Sequence, residues 1–566
     1  MLDRLTQSPV SNNFRSVVMK RNTLTTAVLA GLTGIAGMAS VANAVNVNPD
    51  GLGQVLLFPY YTARGGNDTL ISIVNTTERG KAVKIRFIEA LNSREVLDFN
   101  LYLSPYDIWT AVVTADGDGA KMLTSDTSCT VPYFVGNSTD GVGSQEFLTF
   151  EFTGPKADGG PTGRERTASG YIEVIEMGTM LPQQAPTQAA PLPAGLIEWA
   201  TKHVNGVPRN CGIPVSAWTQ GSGLPWISGN TDFGFRTNAA GAVVEVDGRP
   251  APGATGGLFG SATIINVANG TLLSYNATAV DGFWDTLTTA HTRPDSLEPN
   301  LSGGDVFQSF VFNNGALVNP TWGAGLFALN ATLTLDRLFN EYVTTSTLGA
   351  RTEWVLTFPT KRFHTDVAIG GVSPNNPIPP FTRTWHRVFN NAGAVVGLNL
   401  PCEDMEYRFW DREEREPETT FGPPIVSPPP PPTAIPQFQL CRESNVIRFS
   451  SNGALPDSTE ILAEPMRTGG PGGAWERLGY TNFNLPYSEG WVRFDLATVP
   501  SDSPICAGPA AICTRESLAS VGGTKVQGLP VIGFQATTFT NGTLAGGVLS
   551  NYGGTFNHRG SRSFGS

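Results

Sequence analysis

Apolar and polar residues alternate with a period of two along much of the chain. Val83, Ile85 and Phe87 alternate with Lys84 and Arg86. Leu97, Phe99, Leu101 and Leu103 alternate with Asp98, Asn100 and Tyr102. Leu148, Phe150 and Phe152 alternate with Thr149 and Glu151. Successive side chains of a strand point to opposite faces, so this pattern predicts antiparallel strands with one buried and one wet face. Turn signals at Thr77-Glu78-Arg79-Gly80, Asn92-Ser93 and Ser104-Pro105 separate the runs. Strands at that spacing predict a β-sandwich over residues 45–180.

The pattern weakens over 181–252, read as a connector. Its start is rich in Gln, Ala and Pro, and Ala194–Val204 has helical spacing with Gly206 as the stop. A second β-rich domain is expected over 253–566. Ala262–Val267 and Thr271–Ala279 flank the turn signal Asn269-Gly270. Leu335, Leu338, Phe339 and Tyr342 follow helical spacing and predict a short helix. Strands return at Glu353–Phe358, Tyr407–Trp410, Val446–Phe449, Trp491–Leu496 and Val531–Thr540. The runs Ile71-Ser72-Ile73-Val74-Asn75 and Ile264-Ile265-Asn266-Val267 look alike, which hints at two related sandwiches. Between 411 and 436 a charged patch leads into Pro428 to Pro432. Consecutive prolines cannot join a sheet ladder, so an extended excursion is expected there. The fold class is therefore mainly β: two antiparallel sandwich-like regions with long loops and a few short helices.

Residues 1–44 change the setting. Lys20 and Arg21 precede an uncharged apolar stretch from Leu24 to Met38, and Ala42-Asn43-Ala44 has the small-x-small form that a signal peptidase reads. These are the parts of a secretory signal peptide, with cleavage expected after Ala44 and Met19 as an alternative start to Met1. No later apolar stretch approaches the ~20 residues of a membrane-spanning helix. Of the chain's 37 basic and 48 acidic residues, 33 and 47 lie beyond Ala44. So acidic a body repels phosphate backbones, which argues against a nucleic-acid partner. Six cysteines, an even number in an exported chain, predict disulfides. Pairing of sequence neighbours gives Cys129–Cys211, Cys402–Cys441 and Cys506–Cys513.

Candidate chemistry is sparse. Asp116-Gly117-Asp118-Gly119 resembles the opening of a calcium loop, but Lys121 follows and no Glu closes it. Glu403, Asp404 and Glu406 lie near Asp411, Glu413 and Glu414, but Arg412 and Arg415 are interleaved, as on a salt-bridged surface. His364 and His386 have no nucleophile beside them in sequence. No nucleophile elbow, zinc-protease helix or phosphate-binding loop occurs. No catalytic residue and no cofactor is expected. Trp218, Trp226, Trp284 and Trp322 lie in Gly- and Asn-rich segments; indoles there either stack on sugar rings or plug loops onto the core.

The run from Gly51 to Thr62, the segments Leu70–Thr76 and Asp98–Trp109, and the later Glu353–Thr360 and Leu529–Phe534 resemble uncharacterised secreted proteins of Gram-negative bacteria. The leading segment also resembles immunoglobulin-like modules of bacterial surface proteins at the level of fold. The resemblance implies export and a bacterial source, and it transfers no activity. The expected class is an exported, non-enzymatic surface or extracellular structural and adhesive protein whose partner is a macromolecule or glycan. A secreted carbohydrate-binding protein or glycan hydrolase, and a periplasmic assembly factor, are the alternatives.

Overall fold

The computed structural model describes residues 44–180, 196–218, 226–227, 235–237, 243–244, 256–285, 290–416, 438–451, 453–500, 503, 506, 512–543 and 549–565. The expected leader up to Asn43, the start of the connector and the prolines from Pro428 to Pro432 lie outside the described residues.

Four sheets make up the body. The first has seven strands in the spatial order Asn46–Val47, Thr278–Asp281, Val55–Thr62, Ser169–Thr179, Lys81–Glu89, Glu95–Leu103, Cys129–Val131. Facing it is a six-stranded sheet in the order Thr271–Asn276, Leu258–Asn266, Asn67–Asn75, Ile108–Asp116, Gly119–Thr124, Gly143–Glu146. Phe58, Ile85, Phe99 and Ile172 from one meet Ile71, Ile73, Trp109 and Ile264 from the other in a shared core.

A third sheet runs Thr481–Asn484, Ser444–Ser450, Ala350–Thr357, Ile532–Thr543, Leu549–Asn557. The fourth runs Phe438–Leu440, Glu403–Trp410, Glu489–Asp495, Arg337–Val343, Arg559–Ser561. Trp354, Leu356, Ile447 and Phe449 of the third pack on Leu338, Val492 and Phe494 of the fourth. The third sheet is apolar on both sides. Its reverse face sends Val355, Val446, Phe534 and Ala536 into the first core, where Phe534 stacks on Tyr275 with ring centroids 4.6 Å apart. Ser444–Ser450 and Thr481–Asn484 pair in parallel; the other registered pairs in these four sheets are antiparallel.

The mainly-β class and its sandwich-like layers are as expected, but the expected boundary at 252/253 is not a boundary of the fold. Leu258–Asn266 pairs along its whole length with Asn67–Asn75, and Thr278–Asp281 pairs with Val55–Thr62. Residues 258–281 thus complete the first sandwich. The two look-alike runs are neighbours in one sheet, with Ile71 opposite Ala262. Residues from Ala44 to Ser566 form one unit.

Three local expectations also change. The helix expected around Leu335–Tyr342 is the strand Arg337–Val343, paired on both edges, so ladder hydrogen bonds override the spacing. Leu338 and Tyr342 face the core from it, at a period of two. Leu148–Phe152 is not a strand: Phe150–Phe152 is a single 3₁₀ turn, and Leu148 and Phe150 are exposed. The polar positions of Lys81–Glu89 are not wet either. Phe283, Trp284, Trp322 and the helix Gly325–Leu333 cover the outer side of the seven-stranded sheet. Lys84 donates to the Arg293 and Pro294 carbonyls and pairs with Asp98 at 2.8 Å, Arg86 pairs with Glu95 at 2.7 Å and with Glu173, and Lys81 is buried against Glu176 at 2.7 Å.

A second set of buried charges lies where the two halves of the chain meet. Arg166 holds Asp158 through two bonds of 3.0 and 2.6 Å and Glu89 at 2.8 Å. Glu89 also accepts the backbone N–H groups of Leu91, Asn92 and Arg94, which closes the turn after its strand. Arg94 reaches Asp366 at 2.7 Å, Arg362 donates to the Ser93 carbonyl, and the Ala90 carbonyl accepts both Glu443 N–H and Ser444 N–H. Arg442 pairs with Glu464 at 2.7 Å, and Tyr60 donates to the same carboxylate at 2.9 Å. Removing one member of a buried ion pair leaves the other charged and unsolvated, at a cost of about 3–5 kcal/mol. Arg166→Met is expected to lose about that much in urea unfolding. A loss within the scatter of surface substitutions would show that the Arg166 pairs with Glu89 and Asp158 do not stabilise the fold.

Candidate functional site

The structure disposes of most of the residues singled out in sequence. Trp284 and Trp322 are 7 % and 1 % exposed and plug covering loops onto the seven-stranded sheet, so they cannot stack on a ligand. Their indole N–H groups donate to the Glu176 carbonyl and to Ser309 Oγ. Trp218 is partly buried, donates to Tyr102 Oη at 3.0 Å and lies against His291. The Trp226 side chain lies outside the described residues. Asp116 is bound by Arg164 and by Lys121 at 3.4 Å, which occupies the carboxylate a calcium loop would need. Among the described residues no group of three or more His, Cys, Asp or Glu side chains gathers as metal ligands. Asp118 lies near the same Arg164 guanidinium as Asp116 and Glu146.

Of the acids of 403–414, Glu403, Asp404 and Asp411 are buried rather than on the surface, and each is paired. Glu403 binds Arg515 and Thr382, and Asp404 binds Arg383 at 2.7 Å, Gln439 and Ser503. Asp411 is held by Arg415 at 2.5 Å. His364 is fully buried between Asn330 and the Ile378 carbonyl, and burial pushes its imidazole down to about 4. His386 bonds Thr384 Oγ1, and burial lowers it as well. The three disulfides join the expected partners: Cys129–Cys211, Cys402–Cys441 and Cys506–Cys513.

Two tryptophans outside the sequence-based set occupy a more open position. Trp410 and Trp491 are opposite each other on the strands Glu403–Trp410 and Glu489–Asp495. Their rings stack with centroids 4.1 Å apart and planes 16° from parallel. Trp491 is 40 % exposed and Trp410 half-buried. The Arg493 guanidinium lies 5.9 Å from the Trp410 ring centroid. Cross-strand register sets Arg408, Arg493 and Phe339 in the next row, with Arg559 beside Phe339. Arg408 and Arg559 are exposed, and Arg559 has no ion pair among the described residues. The face is thus a stacked indole pair bordered by guanidinium donors.

A signal for this pair was present in the sequence. In Glu406-Tyr407-Arg408-Phe409-Trp410 and Trp491-Val492-Arg493-Phe494-Asp495, each Trp shares parity with the charged residues. Period two therefore places both indoles on the wet side of their strands. Attention to Gly-rich loops missed them.

A second concave feature, of about 410 Å³, is lined by Leu97, Pro132, Phe134, Leu148, Phe150 and Leu297 with Glu95, Asp98 and Glu151. Burial and the neighbouring Glu95 push the Asp98 carboxyl up to about 7. Both acids are already engaged, Asp98 by Lys84 and Glu95 by Arg86.

The chain matches no family model, no curated protein and no solved structure. Its chemistry must therefore be argued from its own residues.

One buried acid gives a pH test. Glu443 is fully buried beside the Ala90 turn, and neither carboxylate oxygen has a hydrogen-bond partner. Burial pushes its carboxyl up to about 8, against an ordinary value of 4.5. Between those values the folded protein holds a proton that the unfolded chain has lost, so stability falls as pH rises through that window. Glu443→Gln carries no charge at any pH. Thermal melts are expected to match the natural protein at pH 5 and to exceed it at pH 9, with the gap opening between. Parallel melting curves would mean that Glu443 is already ionised in the folded state.

Proposed function

We propose that the protein works outside the cytoplasm as a non-enzymatic, adhesive binding protein that holds polysaccharide on the sheet face built around Trp410 and Trp491. The observation that carries this reading is the stacked indole pair on the wet side of a rigid sheet, with Trp491 40 % exposed. An aromatic pair directly opposite on two strands contributes about 0.2–1 kcal/mol to sheet stability, which does not require that much exposed indole. Flat aromatic surface is well suited to the apolar C–H faces of sugar rings. At its border Arg559 and the exposed Arg408 add donors for hydroxyls or carboxylates, while Arg493 is held by Asp495 at 2.8 Å.

Export is supported independently. Three disulfides fit an oxidising extracellular or periplasmic environment. No helix among the described residues is long and apolar enough to cross a membrane. The source in this reading is a Gram-negative bacterium, as the sequence resemblance implies. The hydrolase reading has one observation in its favour, the hollow at Glu95 and Asp98, and the ion pairs there count against it.

The test combines location and binding. Protease shaving of intact cells of the source organism is expected to remove the protein; protection in the periplasm would favour an assembly role instead. In affinity electrophoresis against a panel of soluble polysaccharides, the natural protein is expected to be retarded by at least one. Trp410→Ala with Trp491→Ala should weaken that retardation at least about tenfold, the equivalent of ~1.4 kcal/mol, with little change in melting temperature. Equal retardation of the double variant would remove this face as the binding site.

A further inference from the structure

Arg467, in the loop after Glu464, is a guanidinium that the fold nearly buries without bonding it. Its side chain is 11 % exposed, yet it makes no side-chain hydrogen bond among the described residues, and its Nε is buried without a partner. Its ion pair is a loose one, to Glu165 at 3.9 Å, and that carboxylate is itself 42 % exposed. A guanidinium has five N–H donors and stays charged at neutral pH. Taking it out of water unbonded is therefore costly.

Two more guanidiniums stand close to it. Arg442 is fully buried, with one nitrogen on Glu464 at 2.7 Å and its Nε unpartnered. Arg64, 12 % exposed, donates to the Glu165 carbonyl and to Ser169 Oγ and lies 3.6 Å from Glu464. Burial, and then the charges of Arg64 and Arg442, push the Arg467 guanidinium down to about 10. Glu464 is already committed, since it also accepts from Tyr60 at 2.9 Å. The neighbouring acids are matched elsewhere. Glu89, Asp158 and Asp366 are held by Arg94, Arg166 and Arg362, and Glu443 interacts with Lys361. Three cations thus share one buried carboxylate and the exposed Glu165, in a chain whose acids outnumber its bases by 48 to 37.

We infer that Arg64, Arg442 and Arg467 form a site for a small free oxyanion, with phosphate, sulfate or a simple carboxylate as the class of ligand. Guanidinium forks match the paired oxygens of such ions. Water would satisfy the open Nε–H donors but would leave the excess charge, whereas an anion answers both. The low exposure of the three side chains suits a free ion rather than an acidic group carried on a polymer. Arg64 and Arg467 each keep a small exposed part, which gives the ion its entry beside Glu165. Arg64 and Glu165 belong to the first half of the chain, and Arg442, Glu464 and Arg467 to the second. A bound anion therefore stabilises the docked halves, and it does so independently of the Trp410–Trp491 face.

Thermal melts of the full exported chain in sodium phosphate, sulfate or acetate, each against sodium chloride of equal ionic strength, test this. The melting temperature of the natural protein is expected to rise with at least one of the three anions and to level off, as binding to the folded state requires. Arg467→Met should weaken that response at least about tenfold in anion concentration. In chloride it should melt no lower than the natural protein, because a poorly compensated buried charge has gone. Phosphate and sulfate also stabilise proteins by exclusion from their surfaces. Arg559→Met, on the wet face of the fourth sheet, is the control for that effect and should respond as the natural protein does. Isothermal titration of the natural protein with phosphate, sulfate and acetate gives a reading that needs no variant, with one site per chain expected for at least one of them. Melts that follow ionic strength alone, or titrations without a saturable site, overturn the inference. So does an equal rise in Arg467→Met, or a variant that loses the same stability in chloride as in the three anions, which would make Arg467 structural only.

Discussion

The buried ion network between Glu89, Arg94, Asp158, Arg166 and Asp366 is the constraint on which the architecture depends. Each of these groups would be costly in a protein interior by itself, and each is tolerable because an opposite charge is fixed beside it. Burial raises the Glu89 carboxyl, but Arg166 outweighs burial and holds it below the ordinary carboxylate range. Asp158 is held low in the same way by Arg166 and Arg94. Arg94 and Asp158 come from the first half of the chain, and Asp366 from the second. Arg166, Glu89 and Asp158 satisfy one another within the first half, and Arg94–Asp366 is the ion pair of this network that forms only when the two halves are docked.

The layer order follows from this docking. The third sheet is apolar on both sides, with Trp354, Leu356 and Ile447 on one and Val355, Val446 and Phe534 on the other. A strand buried on one side only has a polar alternate face; Ala350–Thr357 and Ser444–Ser450 are almost entirely buried. The sheet therefore needs a cover on each side, and the first sandwich supplies one of them. The fourth sheet supplies the other and, being outermost, keeps a wet face of its own. That position in the stack is what leaves Trp410 and Trp491 accessible.

The same logic separates structural from available chemistry. The chain has many buried acids and bases, and the described ones that suggested catalysis in sequence are bound to specific partners. Arg515 and Thr382 occupy Glu403 and Arg383 occupies Asp404; Asp98, an acid only the structure brings into a hollow, is occupied by Lys84. Trp410 and Trp491, by contrast, keep part of their rings open to solvent.

The alternation of Val83, Ile85 and Phe87, the cysteine pairing by sequence neighbours and the strands at Glu353–Phe358 and Val446–Phe449 were legible in the sequence. Each depends on local periodicity or on loop closure along one chain. The sequence also contained the parity that puts Trp410 and Trp491 on the charged side of their strands. Only the tertiary structure decided what covers each face. Lys84 and Arg86 read as wet because alternation reports two faces and not the helix and loops that later cover one of them. Leu335–Tyr342 read as helix because Leu335, Leu338, Phe339 and Tyr342 have helical spacing, but pairing with Glu489–Asp495 and Arg559–Ser561 made 337–343 a strand that buries only Leu338 and Tyr342. The domain boundary failed for the same reason: a strand's pattern states that it pairs, while the partner, here Asn67–Asn75 for Leu258–Asn266, is chosen across almost two hundred residues by which faces remain to be buried.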